Sequence, residues 1–248
     1  MTARSANLPR SNEEILELLR HASLDLEGQF ALGSNYTFLV RLTRGNSRMQ
    51  AVYKPIQGQA PLWDFPAESL AGREVAAYML SEALNWELVP ATILRAQGPF
   101  GAGSLQAFIP HELENTFFSL ADASRGLLKT AALFDLIINN ADRKGSHVIR
   151  DAGGHFWLID HGLCFHVQPK LRTVIWDFAG QAIPPDNIQQ METLMSRLEG
   201  DGPLIKNLSY HLTSREIESL KERLRGLLHN PVFPQPDEKI RQIPWPLV

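Results

Sequence analysis

The chain has 248 residues, 44% of them hydrophobic and 21% charged, a composition that suits a soluble globular protein with one large core or two lobes. A formal net charge of -3 argues against an electrostatic nucleic-acid binder, and the single cysteine, Cys164, excludes an intrachain disulfide framework. No apolar run is long enough for a transmembrane segment and the start does not read as a signal peptide, so a cytoplasmic location is expected.

In chain order, residues 11–20 (SNEEILELLR) predict a short docking helix. Ser11 or Asn12 is its cap, Glu13 and Glu14 sit in its first turn, and Ile15, Leu18 and Leu19 recur at helical spacing. Strands are expected at 28–33, 36–42 and 48–54, the last two joined by the hairpin turn 44-RGNS-47. The turn 33-GSNY-36 is either an ordinary hairpin or a place where Ser34 and Asn35 present backbone N–H groups to a phosphate. Lys54 ends the third strand before Pro55. It shares a face with Val52, so an inward Val52 implies an inward lysine in need of an anionic partner; otherwise Lys54 snorkels to water.

The loop 56–66 reads as a lid or a packed surface loop. A helix follows over 68–84, with Ser69 as its cap and Glu74 on the face of Leu70, Ala77, Tyr78 and Ser81. Glu74 is thus either a solvated helix residue or the inward partner of Lys54. Strands at 88–96 and 104–110, separated by 97-QGPFGAG-103, complete a five-strand, one-helix lobe over 1–110. The segment 106-QAFIPHE-112 then crosses to a second lobe over 111–248, with Gln106 and Phe108 on a flat strand that would suit an adenine ring.

The second lobe opens with a helix over 125–140. Asp135 lies on its apolar stripe and is expected to accept hydrogen bonds from the backbone of the loop 139-NNADRKGSH-147. The turn 151-DAGG-154 folds 147–150 onto 155–160 as a hairpin. The simplest register sets Arg150 against His155, and Asp160 against about Gly145, near His147. Asp142 and Asp160 thereby arrive at one end of one structure. Helices are expected at 186–200 and 213–230, the latter opened by a Thr213/Glu216 capping box, with a short helix between them. The proline-rich tail 231–248 is expected to run extended along the surface.

A strand lysine, a helix glutamate and two separated aspartates are the parts that phosphoryl transfer from ATP requires. At 52-VYKP-55, 63-WDFP-66, 71-AGREVAAY-78, 139-NNADRKGSH-147, 158-LIDHGLCFH-166 and 169-PKLRTVIW-176, the chain resembles the phosphatidylinositol 3-/4-kinase-like branch of the protein-kinase-like fold. More closely, it resembles small actinobacterial-type members of that group. The resemblance implies an α+β, two-lobed fold, with a small antiparallel-sheet N-lobe and a mainly helical C-lobe. It implies a cytoplasmic kinase using ATP and Mg2+. Lys54 would lie on the phosphates with Glu74 as its anchor, Asp142 would serve the acceptor hydroxyl, and Asp160 of the Asp-His-Gly triplet would bind metal. Beside the resemblance, Lys144 is either placed to reach the transferred phosphate or a surface lysine, and Arg143 is expected to brace the loop against a carboxylate.

The chain departs from the pattern at two positions. Lys144 replaces a histidine, and His147 replaces a metal-binding asparagine. Magnesium prefers oxygen ligands, so either His147 binds metal with Mn2+ accommodated, or the second metal is held differently, or activity is reduced. A nucleotide-binding pseudokinase and a nucleotidyl transferase on the same fold are the alternatives. A zinc hydrolase built from His147, His155, His161, Cys164 and His166 is a third, though their spacing matches no compact zinc motif. The hydroxyl acceptor could be a protein, a small molecule or a lipid.

Overall fold

The structure is a computed structural model that describes residues 11–30, 36–57, 59, 62–112, 116–120, 122–237 and 239–248. It divides into two compact units, Met1–Val75 with Pro90–Ile109, and Ala76–Val89 with Pro110–Val248.

The first unit opens with helix α1, Asn12–His21. Ser11 Oγ accepts the Glu14 N–H at 3.2 Å, satisfying an orphan donor of the first turn. Leu18 and Leu19 are its buried contacts with the sheet, and Arg95 donates to the carbonyls of Leu19 and Ala22 at its other end. The sheet has five strands, all antiparallel: β1 Ser23–Gln29, β2 Phe38–Arg44, β3 Ser47–Pro55, β4 Thr92–Arg95 and β5 Gly103–Ala107, in the order β1-β2-β3-β5-β4. Gly45, at φ +60°, supplies the left-handed residue that the β2–β3 hairpin needs.

Two strands differ from expectation, each for a physical reason. The first starts at Ser23 rather than at 28 and runs to Gln29, and residues 31–33 of the expected strand lie outside the described residues. Leu24 and Leu26 alternate with Asp25 and Glu27 there, but the strand is an exposed edge and carries a bulge between Leu26 and Gly28, so its burial signal is weak. The fourth begins only at Thr92, because Leu88 and Val89 give their N–H groups to Ser81 Oγ, at 2.8 and 3.2 Å, and Pro90 has none to give.

Helix α2, Leu70–Ala83, follows a 3-10 turn at Ala67–Ser69. Almost every residue in it is buried, so its amphipathic signal is slight. Ser69 does not cap it as expected. The Ser69 hydroxyl instead donates to Pro66 O at 2.7 Å and accepts from Arg73 Nε at 3.0 Å.

The second unit contains a single turn α3, Asp122–Arg125, and then α4, Lys129–Ile138, which starts later than expected because a 3-10 turn occupies Gly126–Leu128. The hairpin β6 Val148–Arg150 and β7 Phe156–Leu158 follows, then α5 Pro185–Glu199, α6 Pro203–Leu208 and α7 Ser214–His229. The predicted capping box of α7 forms in both directions between Thr213 and Glu216. The tail is not simply extended over the surface. Phe233 is buried, and residues 231–233 pair with 180–183. Among the described residues no helix is long and apolar enough to cross a membrane.

Candidate functional site

In the first unit the chemistry gathers at the end of β3. The fully buried side of that strand carries Ala51 and Tyr53, while Val52 and Lys54 share the other, partly covered side. There Lys54 Nζ lies 2.5 Å from Glu74 Oε1, with the lysine side chain 20% exposed and the glutamate 4%. A carboxylate this deep needs a partner, and Lys54 supplies it. The neighbouring loop is fixed by Tyr53, whose hydroxyl donates to Gly101 O at 2.7 Å. A side chain at Gly103 would collide with the Lys54 carbonyl oxygen, so only glycine lets β5 approach β3 here.

The remaining nucleotide candidates of this unit fare differently. Ser34 and Asn35 lie outside the described residues. Gln106 is buried, and its amide donates to Thr92 Oγ1 at 2.8 Å, which in turn donates to Pro90 O at 2.7 Å. Its side-chain donor is therefore used inside the sheet. Phe108, half-buried just beyond β5, donates its N–H to Gln50 O at 3.1 Å.

In the second unit, α4 ends at Asn139, held in the left-handed conformation at φ 52°. Its amide donates to the carbonyls of His166 and Gln168 at 2.9 and 2.8 Å and its oxygen accepts from Lys170 N at 2.9 Å. Arg223 of α7 donates to Ile137 O at 2.9 Å, and burial pushes its guanidinium down to about 10. Asn140 bridges the helix and the loop, donating to Asp135 Oδ1 and accepting from Asp142 N, both at 2.9 Å.

Asp135 is completely buried, but its partners are not the loop backbone that the sequence suggested. The Arg143 guanidinium reaches both its oxygens, with Nε 3.1 Å from each, and Thr173 Oγ1 donates to it at 3.1 Å. Arg143 is equally buried. It also donates to Ile159 O at 2.8 Å and His147 O at 3.3 Å, and its remaining nitrogen meets His161 Nε2 at 2.8 Å. An arginine only donates, so His161 Nε2 is the unprotonated nitrogen. One guanidinium thus joins the helix, the loop, the hairpin and the Asp-His-Gly turn.

The hairpin register is Val148 opposite Leu158 and Arg150 opposite Phe156, one residue from the expected pairing. The connection is longer than the simplest turn. Asp151 stabilises it by accepting from His155 N at 3.0 Å and Trp157 Nε1 at 2.9 Å. The ladder continues as Ile159 N donates to His147 O, and it sets His147 Nε2 3.3 Å from Asp160 Oδ2. Asp160 itself sits at φ 61°, a left-handed conformation that a non-glycine residue adopts at a cost.

His147 Nδ1 accepts the Lys144 N–H at 3.4 Å and lies 3.0 Å from the Asp142 carbonyl oxygen. The Nε2 edge faces a carboxylate. Lys144 Nζ lies 3.5 Å from Asp142 Oδ2. The Asp142 carboxyl is raised to about 6, first by burial, with Lys144 opposing and the Asp160 charge adding to the rise. Asp142, Lys144, His147 and Asp160 are thus brought together.

The half-exposed Asp160 carboxylate suits a magnesium ion that takes one or two protein oxygens and fills its remaining positions from phosphate and water. The zinc candidates do not assemble. His155 Nε2 meets Glu87 O at 2.8 Å, His161 meets Arg143, Cys164 is buried, and His166 Nδ1 accepts from Gln168 N at 3.0 Å. Among the described residues no group of three or more His, Cys, Asp or Glu is placed to hold a metal.

Thr173 and Asn140 were not singled out as site residues by the sequence reading. Their signal was their position inside the runs 139-NNADRKGSH-147 and 169-PKLRTVIW-176. The chain is 38% identical over 264 residues to Protein Rv2133c of Mycobacterium tuberculosis, covering 92% of this chain and 94% of that protein. Among solved structures it resembles the Helicobacter pylori proinflammatory kinase CtkA, with a TM-score of 0.51 and 11% identity over 86% of this chain and 94% of that one. The mixed α/β architecture, an antiparallel five-strand sheet followed by a helical part, is therefore a kinase-like fold. No protein-family model matches the chain.

Proposed function

The chain belongs to the family of Protein Rv2133c of Mycobacterium tuberculosis, and on that footing we propose that it is an ATP- and Mg2+-dependent phosphotransferase of the phosphatidylinositol 3-/4-kinase-like type, acting on a hydroxyl acceptor. The observation that carries this reading is the Lys54–Glu74 pair. It joins a lysine at the end of the third strand to the next helix, as the phosphate-binding lysine of kinases is held. Lys54 is assigned to the nucleotide phosphates and Glu74 to keeping it there. Asp142 is assigned to orient the acceptor hydroxyl and take its proton. With its carboxyl raised to about 6, it is ionised at neutral pH yet basic enough to share a proton. Asp160 is assigned to the metal, which when bound would neutralise phosphate charge. Lys144, beside Asp142, is assigned to the transferred group.

Thermal shift with ATP, with and without Mg2+, on wild type and Asp160→Asn tests the nucleotide half of this proposal. A metal-dependent shift present in wild type and lost in the variant is expected; stoichiometric zinc with no nucleotide shift would sink it. Transfer of label from γ-labelled ATP by wild type but not Asp142→Ala tests the chemistry. Label retained only from α-labelled ATP would identify a nucleotidyl transferase instead. One observation favours a nucleotide-binding pseudokinase: His147 already engages one Asp160 oxygen. Faster transfer by His147→Asn would reveal a site slowed by that contact, and no transfer by either form would favour the pseudokinase.

A further inference from the structure

The loop that carries Asp142 is covered on one side by a distant part of the chain. Arg143 pairs with the segment that follows the Asp-His-Gly turn, its N–H donating to Arg172 O at 2.9 Å and its carbonyl accepting from Val174 N at 3.1 Å. That segment is bound in turn by Gln242, whose carbonyl accepts from Thr173 N at 3.1 Å and Trp176 Nε1 at 3.2 Å. Five residues on, the Leu247 carbonyl accepts the Gly145 N–H at 2.7 Å. Gly145 is three residues from Asp142, and a side chain there would strike the Phe118 ring. Residues 242–247 therefore bridge the post-turn segment and the catalytic loop.

The manner of attachment is informative. Both anchors are backbone carbonyls, so the surface that receives them reads main-chain groups and not a particular side chain. Little apolar area holds the segment down. Trp245 is 75% exposed and Val248 58%, and among the described residues of 239–248 only Pro244 is buried. A segment held by a few main-chain hydrogen bonds, with its large side chains in water, is readily exchanged for another chain.

We propose that the surface formed by Gly145, Phe118, Thr173 and Trp176 docks an acceptor polypeptide through its backbone carbonyls, and that residues 242–248 are its resident occupant, a strap the acceptor must displace. This rests on the phosphotransferase reading above. It deepens that reading by naming the acceptor class and a self-restraint on the same loop.

The test compares the full chain with a form lacking Leu247 and Val248, both exposed, which keeps Gln242 and its donors in place. Dephosphorylated casein serves as an extended polypeptide probe, with γ-labelled ATP and Mg2+. Deletion should raise casein phosphorylation roughly fivefold to tenfold, the population shift that a hydrogen bond or two can hold. Hydrogen exchange of 142–147 should quicken in the deleted form, and a synthetic peptide of residues 239–248 should restore both protection and inhibition.

An unchanged casein rate, with ATP binding equal in the two forms, overturns the strap and leaves the kinase reading standing. So does loss of activity with unaltered melting, because the segment would then support the loop. If transfer occurs only to small polyols such as inositol, the polypeptide class is wrong. If neither form shows a Mg2+-dependent ATP shift, the phosphotransferase reading itself fails, and the strap with it.

Discussion

Two ion pairs, Lys54–Glu74 and Arg143–Asp135, look alike on paper and differ in what surrounds them. Lys54–Glu74 joins a compact ammonium to one carboxylate oxygen, and the lysine stays 20% exposed. Arg143–Asp135 is sealed, both side chains at 0%, with the guanidinium also bound to two carbonyls and a histidine. The first can offer charge to something arriving from solvent. The second cannot, because its donors are directed at the protein itself. An arginine fork suits a fixed scaffold, and a flexible lysine suits a ligand. Exposure separates the pair assigned here to the nucleotide from the one that holds the loop.

The sharpest way to break that contrast is Arg143→Ala. It leaves Asp135 enclosed without its guanidinium, and a loss of about 3–5 kcal/mol in denaturant-derived stability is expected, with the loop disordered. Arg143→Lys should fail nearly as badly, since an ammonium cannot replace the fork. If either variant keeps wild-type stability, the pair is not the scaffold described.

Asp142 offers the next largest effect, with the opposite sign. Its carboxyl rises from the ordinary 3.8 to about 6 on folding, so the folded state binds its proton more tightly than the unfolded chain. Its favourable contribution is full below pH 4 and is lost as pH climbs through 6. Asp142→Asn removes that loss. It should abolish transfer yet gain at most about 3 kcal/mol at pH 8, the gain vanishing near pH 4. Unfolding curves at the two pH values decide it; a variant less stable at pH 8 would refute the raised carboxyl. In the active protein the rate should climb as pH passes 6.

Lys54→Met should cost less, roughly 1–2 kcal/mol, because the lysine side chain is 20% exposed where Arg143 is sealed, so water can follow it toward the stranded glutamate. Its effect on ATP-induced thermal shift should instead be complete. A large stability loss with ATP binding retained would reverse the roles of the two pairs. Lys144→Ala should slow transfer but change stability least. Removing the nearby cation should move the pH–rate midpoint upward by under about one unit with little change in melting, and a downward move would contradict the Lys144–Asp142 contact.

Much of the scaffold was legible because local chemistry determines it. Ser11 caps α1, Gly45 turns the β2–β3 hairpin, and Thr213 with Glu216 opens α7 from features a few residues apart. The pairing of Lys54 with Glu74 could be proposed from alternation on a strand and spacing on a helix. What escaped depends on loop length or distance. The hairpin slipped by one residue because Asp151 supports a longer connection. Asp135 was recognised as an inward carboxylate, but its meeting with Arg143 and Thr173 is set by tertiary packing. The contact of Leu247 with Gly145 runs between backbone atoms, which leave no trace in residue identity.

The left-handed backbone of Asp160 bears on which mutant can be believed. Alanine there would remove the carboxylate and also place a poorly suited residue at φ 61°, a conformation costing about 1–2 kcal/mol for most side chains. Lost nucleotide response could then reflect a relaxed turn and not a missing charge. Asparagine tolerates the same backbone and keeps the shape, so the difference between the Asn and Ala variants measures the geometry of this turn separately from its charge.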